Sequence, residues 1–287
     1  MQATDVNFLI IGAAKSATTW LQQTLQADPA ISMPDPELHY FSRFYDRGHD
    51  WYFDQFPRTE GKRVVGEKSN SYLDTPAAAE RVKMLLPHAK LIVQLRNPVE
   101  RAYSDYCMLY RRGEVGGDIR AHLSSRGNVK NRFLVGGCYY EQLQQYRERF
   151  PESQMLVLLF EDMIAHPDVQ IKQVREFLGL HADAPQAVVA KKVKDRSEPM
   201  IGPRLRKAIK PLKPLLRPFR ANPVFAAFWS GLAREISYPP LTQDVRSQLI
   251  DFYADDVGRL EKMLKRDLSY WLHPTPLDGL AHAANYS

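Results

Sequence analysis

Gly12-Ala13-Ala14-Lys15-Ser16-Ala17-Thr18-Thr19 joins an apolar run, Phe8–Ile11, to a helical pattern carrying Trp20, Leu21 and Leu25. A buried strand that ends in glycine, then lysine, then hydroxyl residues gathers an ammonium group and several backbone N–H donors at one sheet edge. Such a place holds an anion. The loop is not the nucleotide-triphosphatase pattern G-x-x-x-x-G-K-[ST], because alanine precedes Lys15 and the loop has no second glycine. A shorter loop cradles fewer oxygens and suits one substituted phosphate rather than a triphosphate with magnesium.

Arg96 closes a second apolar run and is followed by Asn97, Pro98 and a helical pattern holding Arg101, Ser104 and Asp105. A guanidinium there can grip phosphate oxygens in two places, with the Ser104 hydroxyl as a second donor. Helical spacing sets Arg101, Ser104 and Asp105 on neighbouring surface. Lys68 follows a weaker apolar run and should emerge at the same sheet edge. Glu37 and His39 stand behind Pro34 and Pro36, which favour extended chain, so the two side chains share a face. A carboxylate beside a lysine in a cleft can take a proton from a hydroxyl. Two basic grips on adjacent strand ends imply a nucleotide-like donor with at least two separated anionic groups.

Plainer readings accompany each of these. Lys15 could be a solvated turn lysine, Arg101–Asp105 a helix ion pair with Arg96 bound to an acid, Glu67–Lys68 a surface salt pair, and Glu37 a surface acid beside a packing histidine. Trp51, Tyr52, Phe53 and Phe56 read as a local hydrophobic cluster rather than a platform for a sugar.

The elements that must position these groups alternate. Apolar runs at Phe8–Ile11, Arg63–Gly66, Leu91–Leu95 and Met155–Phe160 predict strands. Helical patterns follow Thr18, then cover Ala77–Leu86, Pro98 to about Tyr110, Tyr139–Phe150 and Pro167–Leu180. This alternation predicts an α/β fold: a central parallel sheet flanked by helices on both faces, with a P-loop-like turn after the first strand. Thr242–Leu264 predicts a final helix capped by Thr242. Residues 1–287 read as one domain, with an irregular cover at about 191–240, where five prolines between Pro199 and Pro218 interrupt any long helix.

The chain has 287 residues, 44% of them hydrophobic, which supports a substantial core. Its formal charge of +6 is local: Lys191–Arg220 carries a net +9 and the remainder −3. That distribution argues against a nucleic-acid coat and for a local anionic partner. Leu205, Ile209, Leu212, Leu216 and Phe219 among those charges are compatible with peripheral membrane contact through 204–229. No run reaches the roughly 18–20 apolar residues that span a bilayer, and the polar, acidic start does not read as a secretion signal. Cys107 and Cys138 are the only cysteines, so a reducing, cytoplasmic setting is expected. No His, Cys, Asp and Glu set stands at metal-ligand spacing.

IIGAAKSATTWL, PELHYF, GEKSNSYL, LIVQLRNPVERAYSDY, GCYYEQL, VLLFEDMIAHPDVQIKQVREFLGL and LEKMLKRDLSYW occur in that order. The ordered set resembles the sulfotransferases that use 3′-phosphoadenosine 5′-phosphosulfate (PAPS), within them the heparan-sulfate branch of carbohydrate O-sulfotransferases and its bacterial relatives. The resemblance implies that Lys15, Ser16, Ala17, Thr18 and Thr19 form the loop around the 5′-phosphosulfate. It implies that Arg96 and Ser104 hold the 3′-phosphate, and that Lys194, Arg196 and Arg204 close over the nucleotide. Glu37 matches the general base, Lys68 a lysine at the reacting centre and His39 a substrate-side histidine, with adenosine 3′,5′-bisphosphate as the product.

Three departures shape the expectation. Ala17 stands where many relatives have glycine, Ser42 stands where the heparan 3-O enzymes carry aspartate, and the late disulfide segment and membrane anchor of the animal enzymes are missing. A soluble bacterial-type enzyme acting on a glycan, a glycolipid or lipid-linked acceptor, or a small natural product is expected. Two other classes stay open on the residues alone: a small-molecule kinase with a degenerate phosphate loop, which would need ATP and Mg²⁺, and a non-catalytic binder of anionic polymers or membrane surfaces.

Overall fold

The computed structural model describes residues 2–57, 61, 63–126, 130–181, 200–201, 233–234 and 236–274. The four apolar runs form strands of one parallel sheet, joined by a fifth strand of two residues. In chain order these are β1 (Phe8–Gly12), β2 (Ile31–Ser32), β3 (Val64–Lys68), β4 (Lys90–Leu95) and β5 (Met155–Leu159). Their spatial order is β2-β3-β1-β4-β5, and every neighbouring pair is parallel. The chain therefore builds β1, moves to one side for β2 and β3, then crosses to the other side for β4 and β5. The reversal point lies beside β1, and in open parallel sheets the crevice at the carboxyl ends of such strands is where ligands bind.

Both faces of the sheet are covered, which is why the strands read as continuous apolar runs rather than alternating ones. On one face Phe8, Ile10 and Ile92 pack with Trp20, Leu21 and Leu25 of the helix Thr18–Gln26 and with Ile171, Val174 and Leu178 of the helix Pro167–Leu178. On the other, Leu9, Ile11, Leu91, Val93 and Leu95 meet the helices Ala78–Leu85, Pro98–Arg111, Tyr139–Arg147 and Gln243–Leu264. Truncating one of these buried leucines to alanine costs about 2–5 kcal/mol.

Several boundaries differ from the sequence expectation. The third strand runs Val64–Lys68 instead of Arg63–Gly66, so Glu67 and Lys68 lie inside it, on opposite faces. The last strand stops at Leu159, and Phe160 opens a short helix, Phe160–Ala165. Thr242 occupies the N-cap position with extended backbone, but its hydroxyl makes no capping hydrogen bond and is buried without a partner. The true side-chain caps are Asn97, whose Oδ1 accepts from Val99 N (2.9 Å) and Glu100 N (3.4 Å), and Asn131, which does the same for the short helix Arg132–Val135. Pro98 fills the first helical position behind Asn97.

Within the expected cover at 191–240, Met200–Ile201 and Ala233–Arg234 form a short antiparallel pair; most of that segment, and the membrane-contact stretch 204–229, lies outside the described residues. Among the described residues no helix is long and apolar enough to cross a membrane. Neither Cys107 nor Cys138 is joined in a disulfide.

Candidate active site

Three adjacent strands deliver the predicted basic residues to one edge. Lys15 follows β1, Lys68 ends β3 and Arg96 follows β4, with β1 between the other two. Gly12 ends β1 because a neighbour passes too close for a side chain: a Cβ there would lie 2.6 Å from Leu73 Cβ. That approach is fixed by Ser69 N donating to the Ile10 carbonyl (3.0 Å) and Leu73 N to that of Ile11 (2.9 Å). The segment after β3 is thereby laid across the end of β1.

The loop itself turns through left-handed backbone at Lys15 (φ 72°) and Ala17 (φ 58°) before the helix Thr18–Gln26 begins. Ala17 thus takes the conformation that glycine accepts without steric cost, which gives the alanine a physical consequence at this position. Ser16 and Thr18 are buried, while Lys15 and Thr19 are half-buried. The first turn of the helix leaves its N–H groups without intrahelical acceptors, facing the loop.

Arg96 is 2% exposed. Its guanidinium lies 4.3 Å from the Phe160 ring centroid, and Nη1 donates to the Lys15 carbonyl at 3.3 Å. The Tyr139 hydroxyl donates to the Arg96 carbonyl at 2.9 Å. The side chain is therefore held between the phosphate loop and a ring, aimed along the sheet edge. Ser104 has its hydroxyl buried and without a hydrogen-bond partner. A buried hydroxyl with no acceptor is what a phosphate oxygen would satisfy, so these residues fit a nucleotide bearing a second phosphate. Arg101 and Asp105 depart from the expected open surface beside Ser104. They form the helix ion pair (3.8 Å), both almost fully buried, and Arg132 closes on Asp105 at 3.0 Å while Arg101 donates to the Phe133 carbonyl. Their charges are spent inside the fold. Lys194, Arg196 and Arg204 lie outside the described residues.

Glu37 is brought against Lys68, the two residues that the resemblance sets at the reacting centre. Its Oε1 accepts from Lys68 Nζ at 2.6 Å and from Asn70 Nδ2 at 3.3 Å, and Oε2 accepts from Asn70 N at 3.0 Å. Lys68 Nζ also donates to the Thr19 hydroxyl at 3.5 Å, which links the carboxylate to the phosphate loop through one ammonium. Burial pushes the Glu37 carboxyl up, but the Lys68 charge and hydrogen bond, the Asn70 N–H and His39 outweigh it and hold the group below its ordinary 4.5. Glu37 is therefore ionised at neutral pH.

His39 faces Glu37 with Nε2 3.6 Å from Oε2. The shared face is the expected one, yet the backbone is not extended: His39 sits at φ 51°, ψ 25° and starts a short helix, Tyr40–Arg43. His39 Nδ1, Ser71 Oγ and Ser42 Oγ form a chain of 2.7 Å contacts, and Ser42 Oγ lies 3.2 Å from the His39 carbonyl. These contacts anchor one side of the ring and leave Nε2 toward the carboxylate. Burial lowers the His39 pKa, and Arg43 and Lys68 add to this against the pull of Glu37, so the ring is neutral at neutral pH.

Sequence reasoning passed over Asn70, Ser69 and Ser71, although the hydroxyl and amide cluster after Lys68 is the kind of composition that orders a turn. The plainer reading of Glu67 and Lys68 as a surface pair fails: both are buried, and Glu67 turns to the opposite face. Tyr52, Phe53 and Phe56 form a ring cluster with Tyr40 and Phe41, with Tyr40 and Tyr52 stacked at 4.6 Å.

The sulfotransferase-domain family profile matches residues 5–198. Mouse heparan sulfate glucosamine 3-O-sulfotransferase 3B1 is 28% identical over 267 residues, covering 91% of this chain and 64% of the mouse protein. Its human counterpart is 34% identical over 180 residues, covering 60% of this chain and 45% of that protein. The chain therefore spans less than two thirds of the length of these relatives. Among solved structures, the sulfotransferase from Alicyclobacillus acidocaldarius superposes with a TM-score of 0.70 at 26% identity, over 93% of this chain and 99% of that one. With an anion loop after β1, an arginine after β4 and this match over most of its length, the chain belongs to the sulfotransferase-domain family.

Proposed function

We propose that this protein transfers a sulfonate group from PAPS to a hydroxyl of a carbohydrate, a glycolipid or a small natural product, with Glu37 as the general base. The observation that carries this reading is the chain Glu37–Lys68–Thr19, at 2.6 and 3.5 Å, which joins a carboxylate to the loop that would hold the phosphosulfate. The mouse and human relatives are both heparan sulfate glucosamine 3-O-sulfotransferases, which supports a sugar hydroxyl as the acceptor.

The donor supplies the sulfonate and a phosphate leaving group. The acceptor hydroxyl approaches sulfur in line with the sulfur–oxygen bond that breaks, and its acidity rises as the new bond forms. Glu37, already ionised, accepts that proton although it is a weak base, and His39 orients the hydroxyl. The electron pair of the broken bond remains on the phosphate oxygen. Lys15 and the N–H groups at the start of the helix Thr18–Gln26 answer that charge, while Lys68 serves both ends: it keeps Glu37 ionised and stands beside the loop. Arg96 and Ser104 hold the 3′-phosphate. Lys194, Arg196 and Arg204 would cover the nucleotide.

The test is incubation with labelled PAPS and a panel of sugars, lipid extracts and small alcohols, with mass detection of an added sulfonate. Transfer insensitive to EDTA, lost in Glu37→Gln while adenosine 3′,5′-bisphosphate still binds, supports the reading. EDTA-sensitive consumption of ATP, or a Glu37→Gln protein at full turnover, overturns it.

A further inference from the structure

Glu67 is a fully buried carboxylate that the reaction above does not use. It sits next to Lys68 on β3 but faces the aromatic side of the sheet. Each of its oxygens receives one hydroxyl: Tyr72 OH donates to Oε1 at 2.6 Å, and Ser69 Oγ donates to Oε2 at 2.7 Å. Each hydroxyl in turn accepts a backbone N–H, that of Tyr40 on Tyr72 OH (2.9 Å) and that of His39 on Ser69 Oγ (2.8 Å). Two orphan donors at the start of the helix Tyr40–Arg43 thus reach one carboxylate through two relays. His39 holds its left-handed backbone at this same point, a conformation that persists only where the surroundings impose it.

The proton count gives the arrangement a direction. Both hydroxyl oxygens already accept an N–H, so the single proton of each must go to Glu67. A carboxylate accepts both. A protonated acid or an amide brings a hydrogen of its own, which the Ser69, Tyr72 or Tyr52 hydroxyl must take up by turning its own proton away from Glu67.

We propose that Glu67 is the positioning residue of this site: through Ser69 and Tyr72 it pins the His39–Tyr40 backbone, and so sets Glu37 and His39 against Lys68. The inference rests on the sulfonate-transfer reading for its catalytic consequence, and on geometry alone for the pinning. The charged and titratable groups facing Glu67 are Tyr52, Tyr72, Lys68 and Glu37. Burial drives its carboxyl up, the two hydroxyls and Lys68 pull it down and Glu37 pushes it up again, to about 7.

Glu67→Gln, Ser69→Ala and Tyr72→Phe test the proposal by three measurements on the whole chain. Hydrogen exchange in a peptide spanning residues 37–44 should quicken by about tenfold or more, with β1 and β4 unchanged. Affinity for adenosine 3′,5′-bisphosphate should stay within about twofold. kcat should fall by about 10–100-fold with little change in donor KM, and in Glu67→Gln the ratio to wild type should shrink as pH falls below about 7, where wild type gains the same extra hydrogen. A purely structural role would not follow pH in this way. If Glu67→Gln does not fold, the two single-hydroxyl variants carry the same comparison. Unchanged exchange at 37–44, or a loss of kcat with no pH dependence of the ratio, overturns the proposal. A wild-type protein that moves no sulfonate overturns the function reading instead, and the exchange result still decides the role of Glu67.

Discussion

Lys68→Met removes the charge that sets Glu37 while keeping an apolar stem of similar length. Burial is the largest influence on the Glu37 carboxyl and raises it, and Lys68 is the first of the groups that reverse it. With only the Asn70 donors and His39 left, the carboxyl should rise above 4.5. Breaking a sealed ion pair costs about 3–5 kcal/mol; Glu37 keeps 21% exposure, so its stranded charge stays partly hydrated and a loss of about 2–3 kcal/mol is expected at neutral pH. The sign with pH follows from the lowered carboxyl. The stability it contributes is complete above 4.5 and fades as acid protonates the folded state below that value. The gap between wild type and variant should therefore narrow on acidification. The acid limb that Glu37 sets on wild-type kcat/KM should lie below 4.5, beneath the earlier decline that Glu67 sets near 7, while in the variant the Glu37 limb should move above 4.5. At neutral pH the variant should lose about 10²-fold or more, because a charge beside the leaving group is gone as well. Urea melts at stepped pH and initial rates with labelled PAPS measure both effects. An acid limb at the same pH in both proteins, or a stability gap that does not change with acid, would refute the claim that Lys68 sets Glu37.

Ala17→Gly should stabilise the protein by about 0.5–1 kcal/mol, since alanine at φ 58° carries a steric cost that glycine avoids; a lower Tm would contradict the loop geometry. Ser104→Ala should leave stability within about 0.5 kcal/mol, because its hydroxyl has no partner to lose. The same change should weaken adenosine 3′,5′-bisphosphate binding by about 5–10-fold in calorimetry, and unchanged affinity counts against the 3′-phosphate role. Arg96→Lys keeps the charge but loses the planar fork and its seat on Phe160. Affinity for the same nucleotide should fall by about tenfold or more, and equal binding by both proteins would remove Arg96 from the site.

The strands legible in the sequence were those whose residues are buried on both faces. Phe8–Gly12 and Lys90–Leu95 show as unbroken apolar runs, and they end one residue from where their composition changes. Val64–Lys68 reads short in the sequence because its last two residues are charged, and a strand that ends in glutamate and lysine has no hydrophobic signal. Ile31–Ser32 is too brief for any period to register. At the site, residue types pointed to Lys15, Lys68 and Arg96 at strand ends and to Glu37 beside His39 in the segment after β2. The partners of Glu37 were hidden. Asn70 reaches it across 33 positions, a meeting set by how the turn after β3 lies over β1 rather than by any local pattern. Likewise, no local preference puts a histidine at φ 51°; that backbone is met by the Ser69 and Tyr72 hydroxyls of the turn after β3.

The position of β1 in the middle of the sheet has a consequence for biosynthesis. It leaves the ribosome before the other strands of this sheet but is complete only once β4 has followed, because both its partners, β3 and β4, are encoded well downstream. Until residue 95 has emerged, Phe8–Gly12 is an apolar segment with at least one open edge, the kind of nascent stretch that invites chaperone capture or self-association. The anion-holding turn is thus assembled late, only when the chain has returned from both sides to enclose its own beginning.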